Sequence, residues 1–129
     1  MGLKQYKSGK KFEEELCWWF ANRDFFVIYN EKGATLSQCC DIIVIKNNFT
    51  RLIECKNLEN SRGIFNLDRI EANQFMAYNR YKKCNNSAFE LAILWHNSVY
   101  FLNFDLLQHF DKSIDLKLIQ PDIPNFVEE

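Results

Sequence analysis

Residues 41 to 56 leave the chain few choices. Asp41 is followed by the apolar run Ile42-Ile43-Val44-Ile45, then Lys46-Asn47-Asn48-Phe49, then Thr50-Arg51-Leu52-Ile53-Glu54-Cys55-Lys56. Two β-branched runs on either side of an Asn pair predict an antiparallel hairpin, because Asn tolerates the positive φ that a two-residue turn demands. A turn at Asn47-Asn48 sets Lys46 opposite Phe49 and, counting outward, Asp41 opposite Glu54. Alternation puts Glu54 and Lys56 on one face and Cys55 on the other. Facing residues of an antiparallel pair have Cβ atoms ~5 Å apart. Two carboxylates and one ammonium therefore gather at one end of the hairpin.

Like charges face to face destabilise a sheet, and one lysine offsets only part of that cost. A hard divalent cation offsets the rest, since magnesium takes oxygens from one or two carboxylates and keeps several waters. The backbone carbonyl of Cys55 is a further oxygen nearby. The bland alternative is a surface hairpin whose charges are solvated.

Ahead of the hairpin, Phe12, Leu16, Trp19 and Phe20 recur at helical spacing and predict an amphipathic helix over roughly residues 9 to 22. Ser8 is placed to cap it, and Glu13-Glu14-Glu15 suit the positive end of its dipole. Phe25-Phe26-Val27-Ile28-Tyr29 reads as a short buried strand, and residues 30 to 38 as a polar loop beside the hairpin's charged end. Lys32 and Ser37 of that loop are candidates for phosphate contact, or parts of a plain connector. Downstream, Asp68 is placed to cap a second helix over residues 69 to 81, with Ile70, Gln74, Ala77 and Tyr81 on one stripe. A Gln inside an apolar stripe needs a partner if it is buried. Residues 89 to 95 and 99 to 102 read as two further strands around His96-Asn97-Ser98, and residues 105 to 110 as a short helix. His96 and His109 read as surface residues, and Arg80, Lys82 and Lys83 as charges suited to the second helix's negative end.

Asp41 at the start of one strand and Glu54-Cys55-Lys56 on the next resemble the PD-(D/E)XK nuclease superfamily, although Cys40 stands where the namesake Pro often sits. Gly9 and Glu13, followed by another acid and Leu16, resemble the first helix of archaeal Holliday-junction resolvases. Phe65-Asn66-Leu67, Ile70 and Gln74 resemble the order found after Glu-x-Lys in RecU-type resolvases of low-GC Gram-positive bacteria and their phages. The resemblance implies an α/β, restriction-endonuclease-like core: a mixed central sheet of about five strands flanked by helices. It implies a magnesium ion, replaceable by manganese, held by Asp41, Glu54, the Cys55 carbonyl and Glu13 (with Glu14 the next choice). It implies Lys56 acting on the attacking water, and Gln74 orienting that water or a phosphate. Implied partners are DNA, four-way junctions or other branched forms in particular, and a second copy of the chain in a homodimer. RecU-type enzymes carry a long projection between two core strands; before Asp41 there is no room for one, which bears on the DNA structure cut.

Length and composition fit that picture. At 129 residues the chain reads as one domain with an acidic tail over about 113 to 129, broken by Pro121 and Pro124. Hydrophobic residues at 47% and twelve Phe supply a packed core and argue against disorder. No apolar run approaches the roughly 18 residues of a membrane span. The five cysteines are odd in number and form no Cys-x-x-Cys, which points to reduced thiols in a cytoplasmic protein rather than to zinc. Net charge is −1, but residues up to 104 carry 14 Lys+Arg against 11 Asp+Glu, and those from Asp105 onward carry 2 against 6. That near-neutral balance favours a rival of another class: a non-catalytic nuclease-fold module binding nucleic acid or a protein partner, for example a phage-encoded inhibitor.

Overall fold

Asn47 and Asn48 take φ of 55° and 66°, the left-handed pair that a two-residue hairpin turn requires. That turn joins β2, Ile42–Lys46, to β3, Phe49–Asn57, with Lys46 against Phe49 and Ile42 against Ile53 as the sequence predicts. The computed structural model describes residues 8–30, 40–84 and 88–127. The hairpin occupies the middle of a five-stranded sheet ordered β1-β2-β3-β5-β6. Here β1 is Phe26–Tyr29, β5 is Ala88–Trp95 and β6 is Ser98–Asn103. Only β3 and β5 run parallel; the other neighbours are antiparallel. A second left-handed pair, His96 and Asn97 at φ 51° and 58°, turns β5 into β6. The sheet is mixed, five-stranded and flanked by helices, the architecture the resemblance implies.

Each face of the sheet buries its own cluster. On one, helix α1, Ser8–Ala21, lays Phe12, Leu16 and Phe20 on Ile42, Val44, Ile53 and Ala92. On the other, helix α2, Ala72–Cys84, lays Ala77, Phe75 and Tyr78 over Leu52, Phe89 and Leu91. Fully burying an aliphatic or aromatic side chain contributes ~1.5–3 kcal/mol, so these faces dominate the stability. Within the α1 face Arg51 and Glu90 form a two-pronged ion pair at 2.7 and 2.8 Å, and the Arg51 guanidinium lies over the rings of Phe20 and Phe101.

Several expectations are corrected. Because α1 begins at Ser8, Glu13 falls past its first turn, and the dipole does not account for the acidic run. The first strand begins at Phe26 and is half-exposed, with Phe26 itself 65% accessible, because it lies at the margin of the sheet. Asp68 caps no α-helix: it lies in a single 3₁₀ turn, Leu67–Arg69, and α2 starts three residues later. The third helix, α3, is Phe104–Leu107 and is capped by Asn103. Lys82 does not act only through the helix end, since its ammonium meets the Asp105 carboxylate at 2.8 Å.

The largest correction concerns the tail, which is built into the fold. Ser113–Asp115 forms β7, paired antiparallel with β4, Ile64–Asn66. Ile123 bridges to Val99, and Phe126 packs edge-on against Phe12 at 5.7 Å. Two buried apolar residues outweigh the local acidity and the two prolines. The Ser8 cap, Lys32, Ser37 and Cys39 lie outside the described side chains.

Candidate active site

Where β2 ends, the hairpin ladder is finished by a side chain. The Asp41 amide still donates to the Ile53 carbonyl at 3.0 Å, but the Cys55 amide donates to Asp41 Oδ2 at 2.9 Å. A carboxylate thus takes the place of the next ladder carbonyl. This fixes Asp41 against β3 at the level of Cys55, one residue from both Glu54 and Lys56. Asn30 holds the other side: its amide nitrogens donate to the carbonyls of Asp41 and Cys40, both at 2.9 Å.

Glu54 is 6% accessible and is held from two directions. Gln74 Nε2 donates to its Oε2, and the Lys56 ammonium lies 3.7 Å from the same oxygen. Gln74 is itself fixed, because its Oε1 accepts the Glu71 backbone N–H at 3.0 Å just before α2 begins. That is the returning half of a capping box, in which the third helical residue satisfies the amide ahead of the helix. The Gln in the apolar stripe therefore has its partners, and one Nε2 hydrogen is left for a water or phosphate oxygen.

Glu13 arrives from the opposite face on α1 and is 5% accessible. The Tyr29 phenol donates to its Oε1 at 2.8 Å. Burial, then this hydrogen bond, raises the phenol well above its ordinary value, so it stays a donor. Glu14 is exposed. Three of the four buried acids among the described residues act on one atom: the Cys55 thiol is pushed far up by burial first, then by the charges of Asp41, Glu13 and Glu54. Glu13, Cys55 and Lys56 line a cleft of about 510 Å³ together with Asn57, Asn60, Asn66 and Arg69.

The buried acids Asp41, Glu54 and Glu13, with the Lys56 ammonium beside Glu54, offer carboxylate oxygens, a donor chemistry that suits a hard cation and not a thiophilic one. Among the described residues no three His, Cys, Asp or Glu groups close into a ready-made cage. A hard ion that keeps several waters needs only one or two carboxylates, so the donor set fits one without a cage.

Tyr29, Arg69 and the Arg51–Glu90 pair escaped the sequence reading. Tyr29 carried a weak signal, being the last residue of a strand that leads towards the acids. Arg51 and Glu90 carried none, because the register of a parallel pair is not marked by a turn. His96 and His109 are exposed, His96 stacking on Trp95 at 4.2 Å.

The family model of the archaeal Holliday junction resolvase, Hjc, matches residues 4–126. Among solved structures, Archaeoglobus fulgidus Hjc, a Holliday junction resolvase from an archaeal hyperthermophile, superposes with a TM-score of 0.65 at 20% identity, covering 85% of this chain and 90% of that one. A bacterial homing endonuclease, I-Ssp6803I, superposes with a TM-score of 0.55 at 11% identity, covering 85% of this chain and 72% of that one. No curated protein matches by sequence. No helix among the described residues is long and apolar enough to cross a membrane.

Proposed function

Since the chain belongs to the archaeal Holliday junction resolvase family, we propose that it is a metal-dependent endonuclease that hydrolyses phosphodiester bonds of branched DNA, four-way junctions foremost. The observation that carries this reading is the fixing of Glu54 between Gln74 and Lys56 beside an Asp41 that is pinned to the Cys55 amide. A buried carboxylate held from two sides, with an ammonium at its flank and an open cleft beyond, is an arrangement for polar chemistry rather than for packing.

Asp41, Glu54, Glu13 and the Cys55 carbonyl are the oxygens from which magnesium, or manganese in its place, would take one or two carboxylates and keep several waters. Bound there, the ion would supply a water of lowered pKa and neutralise charge on the phosphate. The chain's own groups do the rest. Asp41 keeps its orientation through the Cys55 N–H, so it cannot swing into solvent. Gln74 and Tyr29 hold Glu54 and Glu13 and act as positioning residues. Lys56, which lines the cleft, offers ammonium hydrogens to the attacking water or to a non-bridging phosphate oxygen, where negative charge develops. The second hydrogen of Gln74 Nε2 faces the same task. Two-strand cutting at a junction calls for two such sites related by a twofold axis, so the working form is a homodimer.

A supercoiled plasmid and a labelled four-way junction, each with magnesium, manganese or EDTA, test this reading. Cleavage of the junction with either metal and none in EDTA is the expected result. Binding without cleavage under every condition would favour a non-catalytic module, a reading favoured by the near-neutral net charge of −1.

A further inference from the structure

We propose that Arg69 is a phosphodiester-binding residue that grips a backbone phosphate of the strand presented to Lys56; this rests on the nuclease reading and extends it to the outer wall of the cleft. Two acids, Glu13 and Glu59, line that cleft, and its lining cations are Lys56 and Arg69. Lys56 already lies beside Glu54. A polyanionic strand entering the cleft therefore needs a second cation, and Arg69 is the one at hand.

The Arg69 side chain is exposed yet not free to wander. Its Nη2 donates to the Asn57 carbonyl at 3.1 Å, and the guanidinium carbon sits 5.1 Å from the centre of the Phe65 ring. One donor of five is used and the plane is set, so the remaining fork meets a phosphate with little further ordering.

The wall beneath it is equally firm. Asn60 Oδ1 accepts the backbone N–H groups of Arg62 and Gly63 at 3.0 and 2.9 Å, and Asn60 Nδ2 donates to the Ile64 carbonyl at 3.0 Å. The Trp95 indole N–H donates to the Asn60 carbonyl at 2.9 Å, and the Leu116 amide donates to the Gly63 carbonyl at 2.8 Å. The β4–β7 ribbon thus uses the C-terminal segment as a brace behind the loop that leads to Arg69. Such a brace has a purpose if the group it supports must bear on a ligand, and at this place the ligand chemistry is anionic.

The test is fluorescence anisotropy of a labelled four-way junction and a matched linear duplex in EDTA, between about 50 and 200 mM salt. Wild type, Arg69→Ala, Arg69→Gln and Arg69→Lys are compared. Losing one phosphate contact should weaken Arg69→Ala and Arg69→Gln about three- to tenfold on both DNAs and flatten the log affinity–log salt slope by about 0.9. Arg69→Lys should keep the slope with intermediate affinity. An unchanged slope in Arg69→Ala and Arg69→Gln, whether or not affinity falls, overturns the assignment. Adding magnesium to the wild-type complex gives a separate reading, so failure to cleave counts against the nuclease reading and leaves the Arg69 slopes to be judged alone.

Discussion

The side-chain amide of Gln74 links the start of α2 to the buried carboxylate of Glu54, taking the Glu71 N–H with one end and giving a hydrogen to Glu54 with the other. Helix capping and acid positioning are thereby the work of one residue, and the two can be separated by substitution.

Gln74→Ala removes both contacts. It should lower stability by ~0.5–1 kcal/mol through the lost cap and slow junction cleavage ~10- to 100-fold, as loss of a ligand's supporting partner does. Gln74→Glu keeps an acceptor for the Glu71 N–H but sets a carboxylate against Glu54. It should keep the cap, melt below wild type through the like-charge pair, and cleave poorly. Urea denaturation and single-turnover cleavage, run side by side, separate these outcomes; normal cleavage by Gln74→Glu would remove the positioning role.

Tyr29→Phe should cost ~1 kcal/mol, the usual net worth of one hydrogen bond, and slow cleavage ~10-fold by loosening Glu13. The phenol lies above its ordinary value through burial and the bond to Glu13, so in wild type it remains protonated and donating as pH rises. The alkaline limb of the pH–rate profile, about pH 8 to 10, should therefore have the same shape in wild type and Tyr29→Phe. An inflection in wild type that Tyr29→Phe lacks would contradict this.

The hairpin was legible because everything that defines it is local. The Asn pair names the turn, alternation names the faces, and the count from the turn brings Asp41, Glu54 and Lys56 to one end. Gln74 was legible as an anomaly in an apolar stripe, but its two partners were not, since Glu54 lies twenty positions away and the helix start was misplaced by the false cap at Asp68. The β4–β7 ribbon was not legible at all. Its strands are three residues long, their partners lie some fifty positions apart, and nothing marks the register. The tail misled for a related reason: charge and proline are visible locally, whereas the buried positions of Ile123 and Phe126 depend on Val99 and Phe12.

Gly63 sits at φ 74°, and a Cβ there would stand 2.7 Å from Trp95 Cη2. Gly63→Ala should thus cost ~1–3 kcal/mol for backbone strain alone, with further loss as the indole shifts away from Asn60. Thermal melting gives the value. A melting temperature unchanged from wild type would show that the loop is not tied to Trp95.

Deleting residues from 119 onward removes Ile123 and Phe126 from the α1 face, where they are 6% and 9% accessible. At ~1.5–3 kcal/mol for each side chain, the shortened chain should be destabilised by roughly 3–6 kcal/mol. Urea unfolding monitored by tryptophan fluorescence measures this. A truncated chain as stable as the full one would contradict the packing of the tail on the α1 face.

The central claim is tested most directly by single-turnover cleavage of a four-way junction with magnesium, comparing wild type with Asp41→Asn and Lys56→Ala. Asn at position 41 keeps an oxygen to accept the Cys55 N–H, and Lys56 lies at the cleft's edge, so both variants should give wild-type far-ultraviolet circular dichroism. The account predicts a wild type that cuts only with metal and two folded variants that do not cut; folded variants that cut at the wild-type rate would contradict it.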